Sequence, residues 1–345
     1  MRSRQAVAGT RLGHSRHFPV TIPAVIPEQA SPNPPPAEFA LDKRLVRRSF
    51  DRAADSYDKA AFLQQEIGNR LVERLELVRL QPTQIVDVGA GTGHVSAALS
   101  QRYPDSRLLV SDLAEGMLHH SRRRLQGAAG KGGGVAGLLR RTLAAANPGQ
   151  RSRFAFVSAD AEQLPLADAS TDLLVSNLML QWCPDLDRAL AEFRRVLAPE
   201  GLLMFTTFGP DTLKELRAAW AEVDGLTHVN AFIDMHDIGD AVMRAGLSEP
   251  VMDVEKMTVT YPELRPLMRD LKDIGAHNVS AGRRHGITGR QRLARVSAAY
   301  EQWRSDGVLP ASYEVIYGHA WAPAGGKTVS RGGEVRVQLD SLRPG

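Results

Sequence analysis

"IVDVGAGTGHV", residues 85–95, sets an apolar run that closes on Asp87 directly before Gly89, Gly91 and Gly93, three glycines at every second position. An apolar strand that turns into a helix through glycines is where an open parallel sheet exposes backbone to a ligand. The dinucleotide fingerprint needs G-x-G-x-x-G to cradle a pyrophosphate. Here the third glycine comes one place too early. The spacing therefore points away from a diphosphate and towards a ligand that lies against backbone at Gly89, Ala90 and Gly91.

Outward from this loop, short apolar or β-branched runs alternate with longer amphipathic stretches. The runs are "QIVDVG", "RLLVSD", "FAFVSAD", "TDLLVSN" and "GLLMFTTF", and between them fall "HVSAALSQRY", "AEGMLHHSRRRL" and "LDRALAEFRRVL". Strand and helix in alternation predict right-handed crossovers and a doubly wound, mostly parallel sheet covered on both faces. Beyond it a helix at "MHDIGDAVMRAGL", a run "VMDVEKMTVTY", a helical insertion and a final run "YEVIYGHAW" predict two further strands, antiparallel and at the sheet edge, for seven in all. Before the sheet, Ile67, Leu71, Leu75 and Val78 recur at helical spacing up to Pro82.

Three stretches fall outside this plan. Residues 1–38 are rich in Pro, Ser, Arg and His and are expected to be a disordered leader; 127–150 is a glycine-rich insert expected to be flexible; and 324–345 is expected to be a flexible tail. The domain proper is placed at 39–323.

Composition narrows the function classes. The chain has 345 residues, 43% of them apolar, and one cysteine, Cys183, which rules out an internal disulfide framework and a thiolate-rich zinc site. Cys183 reads as packing, and no metal is expected. No apolar run approaches membrane-spanning length and no signal peptide is recognisable, so the cytoplasm is the expected compartment and a monomer the expected state. The net charge is only +4, but basic residues concentrate between Ser121 and Gln150, where no acid occurs, and again from Arg283 to Arg304.

Asp112 closes the second run about 20 residues past the glycines, where an acid in this kind of sheet hydrogen-bonds a ribose. With "DVGAGTG" and the strand order, these residues resemble the class I methyltransferases that depend on S-adenosylmethionine. The resemblance implies that Gly89 and Gly91 lie against the methionine moiety and that Asp87 orients its ammonium. It also implies that Asp112 takes the ribose, with Leu113 and Met117 close by, and that Asp160 and the backbone of Ala161 meet the adenine. Asn177 ends the fourth strand beside the cofactor.

More of the chain, from about Arg48 to Pro323, resembles the malonyl-acyl-carrier-protein O-methyltransferases of biotin synthesis. The residues that carry this are "FDRAADSYDKAA", "SNLMLQWCPDLDRALAEFRRVL", "FGPDTLKELR", "DLKDIGAHN" and "LPASYEVIYGHAW". It implies methylation of the free carboxylate of a malonyl thioester on an acyl carrier protein. A carboxylate is already ionised at neutral pH, so no general base is needed, and placement plus exclusion of water is what the protein supplies. Tyr57 on a helical lid, with Gln181 and Trp182 after the fourth strand, are the acceptor-side candidates. His277 and Asn278 in "GAHN" read better as a helix end. Arg283, Arg284, Arg290, Arg292 and Arg295 are the candidate surface for the acidic carrier. The same segments also resemble methyltransferase-like assembly factors of respiratory complex I that hydroxylate an arginine, which is the alternative reading. No proline-aromatic amine box follows the fourth strand, so nucleic acid is not expected as a partner.

Overall fold

The glycine loop ends β1 (Gln84–Val88), an interior strand of the sheet. The computed structural model describes residues 41–129, 153–276, 278–279 and 289–324. β1 pairs in parallel with β2 (Arg107–Asp112) on one side and β4 (Thr171–Asn177) on the other. β3 (Phe154–Ser158) continues the parallel set beyond β2, and β5 (Leu197–Phe208) beyond β4. Strand order reverses at β1, so a crevice opens between the carboxyl ends of β1 and β4, where ligands enter such sheets.

The last two strands are antiparallel, as the sequence suggests, but only one is an edge. β7 (Leu309–Trp321) lies between β5 and β6 (Ser248–Tyr261), giving the order β3-β2-β1-β4-β5-β7-β6. Burial explains the correction. β7 is buried or half-buried throughout, with Val315, Ile316 and Ala320 fully covered. β6 alternates half-buried with exposed residues, as an edge strand with one wet face does.

The period of two assigns each strand residue to one of two cores. Leu173, Val175, Leu202 and Met204 face one layer. It contains α3 (Phe62–Arg74), α4 (His94–Arg102), α5 (Glu115–Ala129), α7 (Lys214–Ala221), α9 (Leu264–Asp273) and α10 (Arg290–Tyr300). Leu174, Leu203, Phe205 and Ile316 face the other layer, formed by α6 (Leu186–Val196) and α8 (Met235–Arg244). α1 (Lys43–Ala53) and the short α2 (Tyr57–Ala60) precede α3. The helical pattern before the sheet is thus three helices, and Val78 falls after them. α5 runs to Ala129, so the first residues of the expected insert are helical, and its remainder to residue 150 lies outside the described residues. No helix among the described residues is long and apolar enough to cross a membrane.

Candidate active site

Gly89 has φ +72° and Gly91 φ +56°, values that L side chains rarely adopt. Space separates the two. A Cβ on Gly89 would come 2.2 Å from Cγ of Met179, whereas on Gly91 its nearest neighbour would be Cε1 of Tyr57 at 3.9 Å. The loop therefore packs tightly at Gly89 and leaves a hollow at Gly91. That hollow opens into a cavity enclosing about 1640 Å³ of empty space, its mouth included.

Asp112 stands at the wall of this cavity. Its Oδ2 accepts from the Gly91 N–H at 2.8 Å and its Oδ1 from the Ala114 N–H at 2.8 Å. Burial pushes its carboxyl up to about 6, against the pull of those backbone donors. Leu113, Met117, Asn177, Asp160 and Ala161 line the cavity too. Asp160 is already engaged: Nζ of Lys43 lies 2.6 Å from its Oδ2 and 2.6 Å from Oε2 of Glu162, tying α1 to the loop after β3.

Asp87, Ala90 and Gly93 do not line the cavity. Asp87 sits fully buried behind the loop, where its Oδ2 accepts from Oγ of Ser96 at 2.5 Å and its Oδ1 is buried without a partner. Burial pushes this carboxyl up to about 7. An orphaned carboxylate oxygen costs about 1–3 kcal/mol or more, a cost that a cationic ligand group above it would offset. The open hollow at Gly91, the orphan at Asp87 and the acid at Asp112 together fit a nucleoside with a cationic amino-acid tail, as S-adenosylmethionine has.

α1 and α2 cover this half of the site through polar latches. Asp51 accepts from the Gly116 N–H at 2.9 Å, Arg47 pairs with Glu115 at 2.8 Å, and Asp58 binds Oγ1 of Thr92 and Nη2 of Arg124. The lid presents Tyr57 and Phe50 inward, and Phe50 meets Trp182 edge to face at 5.2 Å. Burial first, then the charge of Asp112, raises the Tyr57 phenol well above its usual range. Its hydroxyl therefore stays protonated and can serve as a donor, not as a base. Gln181 lines the cavity, with both ends of its amide held: Nε2 donates to the Leu178 carbonyl at 2.7 Å, and Oε1 accepts from Thr207 at 3.2 Å. Cys183 also lines the cavity, with Sγ 3.5 Å from Sδ of Met179, and burial keeps its thiol protonated.

Several lining residues were not singled out from the sequence. Gln64 presents a buried Oε1 without a partner, and Phe208, Trp220, His228, Phe232, Met268 and Tyr313 wall an apolar lobe beyond Asn177 and Gln181. Phe208 and Tyr313 lie inside segments that carry the family resemblance, but no spacing marks them; the others come from elements far apart in the chain.

Of the candidate carrier surface, Arg283 and Arg284 lie outside the described residues, as does His277. Arg290 and Arg295 are exposed on α10. Arg292 departs from that surface: it is half-buried, with Nη1 3.5 Å from Oδ2 of the largely buried Asp224, whose charge draws it inward. Asn278 donates to the Thr227 carbonyl and closes the lobe.

Comparison with known proteins agrees with this geometry. Residues 86–205 match the methyltransferase-domain family, a span from β1 into β5. The chain is 53% identical over 286 residues to a malonyl-acyl-carrier-protein O-methyltransferase of Laribacter hongkongensis, covering 83% of this chain and 91% of that one. It is 53% identical over 289 residues to the protein of the same name from Methylovorus sp., covering 83% and 90%. A third so named, from Halorhodospira halophila, is 46% identical over 316 residues, 90% of this chain and 98% of the relative. These matches extend well beyond the methyltransferase-domain span of residues 86–205. The chain therefore belongs to the malonyl-acyl-carrier-protein O-methyltransferase family.

Proposed function

We propose that the chain methylates the free carboxylate of a malonyl thioester carried on an acyl carrier protein. The relatives' shared name supports this over arginine hydroxylation. The observation that carries it is a single cavity whose two halves suit opposite charges. The only carboxylates among its described lining residues, Asp112 and Asp160, belong to the glycine-loop half, and the apolar lobe is lined by His228 and Lys272 with no acid.

The cofactor is S-adenosylmethionine, which supplies an electrophilic methyl group on a positively charged sulfur. Asp112 holds the ribose, the backbone at Gly89 and Gly91 borders the amino-acid tail, and Asp87 offsets the ammonium from behind the loop. Asp160 and Ala161 border the adenine. Tyr57 and the Phe50–Trp182 pair close the lid over the reacting groups and exclude water, which strengthens the attraction between the two charges that transfer cancels. No residue need remove a proton, since the acceptor oxygen is already anionic. Gln181 and Asn177 fix the floor between the halves through Thr207 and Thr206. In biotin synthesis such a methyl ester masks the charge of the growing chain, and the carrier docks at the exposed arginines of α10.

Incubation of the purified chain with malonyl carrier protein and methyl-labelled S-adenosylmethionine tests this. A base-labile labelled ester is expected; label that stays on the protein fraction after mild base, or no transfer at all, overturns it.

A further inference from the structure

The apolar lobe ends on one polar group held from behind. The ring of His228 lies flat on Trp220, centroids 3.7 Å apart and planes 10° from parallel. Its Nε2 is 2.7 Å from Oδ1 of Asp224, and both side chains are largely buried, 13% and 14% exposed. Arg292 of α10 reaches Oδ2 of the same carboxylate. Burial of Asp224 opposes ionisation, but the His228 hydrogen bond, the Leu226 N–H and the Arg292 charge together hold its carboxyl below the usual range, so it remains an anion. A ring nitrogen facing a carboxylate is a donor, so Nε2 carries a proton and Nδ1 is the atom left for a ligand.

The two lysines on the wall are less suited to an anionic acceptor. Lys43 is bound between Asp160 and Glu162, and Lys272 is an exposed, long-chained residue at the mouth. His228, unlike them, is both fixed and uncommitted at one atom. Stacking on Trp220 sets the plane of the ring, and Asp224 sets its rotation, so little entropy is lost when a ligand binds it. The charged groups packed around it are Asp224 on its own loop and Arg292 from α10; Lys272 of α9 shares the cavity.

We infer that His228, held by Asp224 and Trp220, is the residue that selects the ionised carboxylate of the acceptor, donating from Nδ1 to one of its oxygens. The assignment rests on the carboxyl-methylation reading and names the residue that gives it specificity. Donation from Nδ1 requires a proton on each ring nitrogen, Nε2 facing Asp224 and Nδ1 facing the acceptor; the second contact is lost when the ester forms, so the same contact binds substrate and releases product. The neighbouring Oδ1 of Asn230, buried without a partner, offers an acceptor to an N–H of the same ligand and does not discriminate on charge.

The test compares two small probes, malonyl-N-acetylcysteamine and its methyl ester, bound in the presence of S-adenosylhomocysteine. The His228→Phe variant keeps a ring on Trp220 and removes the donor. It is expected to weaken the malonyl probe about tenfold or more while leaving the methyl ester and S-adenosylhomocysteine within about twofold of the parent. Asp224→Asn, which keeps the shape and removes the charge behind the ring, is expected to shift the malonyl probe in the same direction. Equal weakening of acid and ester in both variants would make His228 a packing residue and overturn the assignment, as would no change in either. If the parent protein itself binds S-adenosylhomocysteine but neither probe, the carboxyl reading falls and the assignment with it.

Discussion

The two halves of the cavity are built by different means. The glycine-loop half is made of backbone at the ends of β1 and β2 with two acids, from residues 85 to 117 and the loop that follows β3, beneath the lid of α1 and α2. The acceptor half is made of side chains from α7, the loop 222–234, α9 and β7, elements separated by up to about a hundred residues. Backbone geometry requires glycine and leaves a spacing in the sequence; a wall of side chains requires only shape and polarity, which many residues supply. The halves also differ in their polar groups, Asp112 and Asp160 lining one and the imidazole of His228, held by Asp224, lining the other.

Removing an acid from the first half is the most severe test of that division. Asp112→Ala is expected to weaken S-adenosylhomocysteine about a hundredfold, since a charge-assisted pair with a ribose is worth roughly 1.5–3 kcal/mol and the Gly91 N–H loses its acceptor as well. The malonyl probe, binding in the other half, should keep its affinity within about threefold. Calorimetry on both ligands reads this directly. A comparable loss on both would mean that the cavity works as one unit and that the charge division has no functional meaning.

A smaller effect sharpens the electrostatic half of the comparison. Asp87 is fully buried and its carboxyl is raised from 3.8 to about 7. The folded chain therefore holds a proton there that the unfolded chain has released. Between about pH 4 and pH 7 folding is favoured at the acid end, and this contribution is lost as pH rises through the folded value. Asp112, raised to about 6, acts in the same direction over a narrower window. Asp87→Asn cannot release a proton, so the fall in melting temperature of the unliganded protein between pH 5 and pH 8 should become shallower by about 2–4 °C per kcal/mol removed. Bound cofactor should reverse the trend in the parent, because its ammonium favours the ionised Asp87. A slope that Asp87→Asn leaves unchanged would show that the folded chain does not hold this proton.

What was legible in the sequence follows the same line. Strand and helix periodicities led to five parallel strands and the two antiparallel ones, and the glycines to the ligand-facing loop after β1. The place of β7 inside the sheet was not legible, because an apolar final run pairs equally well as edge or neighbour until β5 supplies a partner. Asp112, Asp160, Tyr57, Gln181 and Trp182 all line the cavity. Lys43, Gln64 and His228 were not found, as each acquires its place only when α1, α3 or the loop 222–234 folds over the sheet. Arg292 shows the converse: five arginines in one segment read as one surface, yet Asp224, 68 positions away, draws one of them inward.

That departure leaves Arg290 and Arg295 as the described part of a carrier surface, outside both halves of the cavity, and the effect expected there is the smallest. Surface charge governs encounter more than the bound state, and it is screened over about 10 Å at ordinary ionic strength. Replacing both with glutamate should raise the KM for malonyl carrier protein about three- to tenfold at low salt and leave the small malonyl probe unaffected. The difference should shrink as salt is added, since screening removes in the parent what the variant has lost by mutation. Arg292→Ala is the internal control: it exposes a buried Asp224 to loss of its partner, so it should change the small probe and the carrier substrate alike and be insensitive to salt. Equal losses on both substrates for the glutamate variant would show that these arginines support the fold of α10, and docking would then have to be sought on another face.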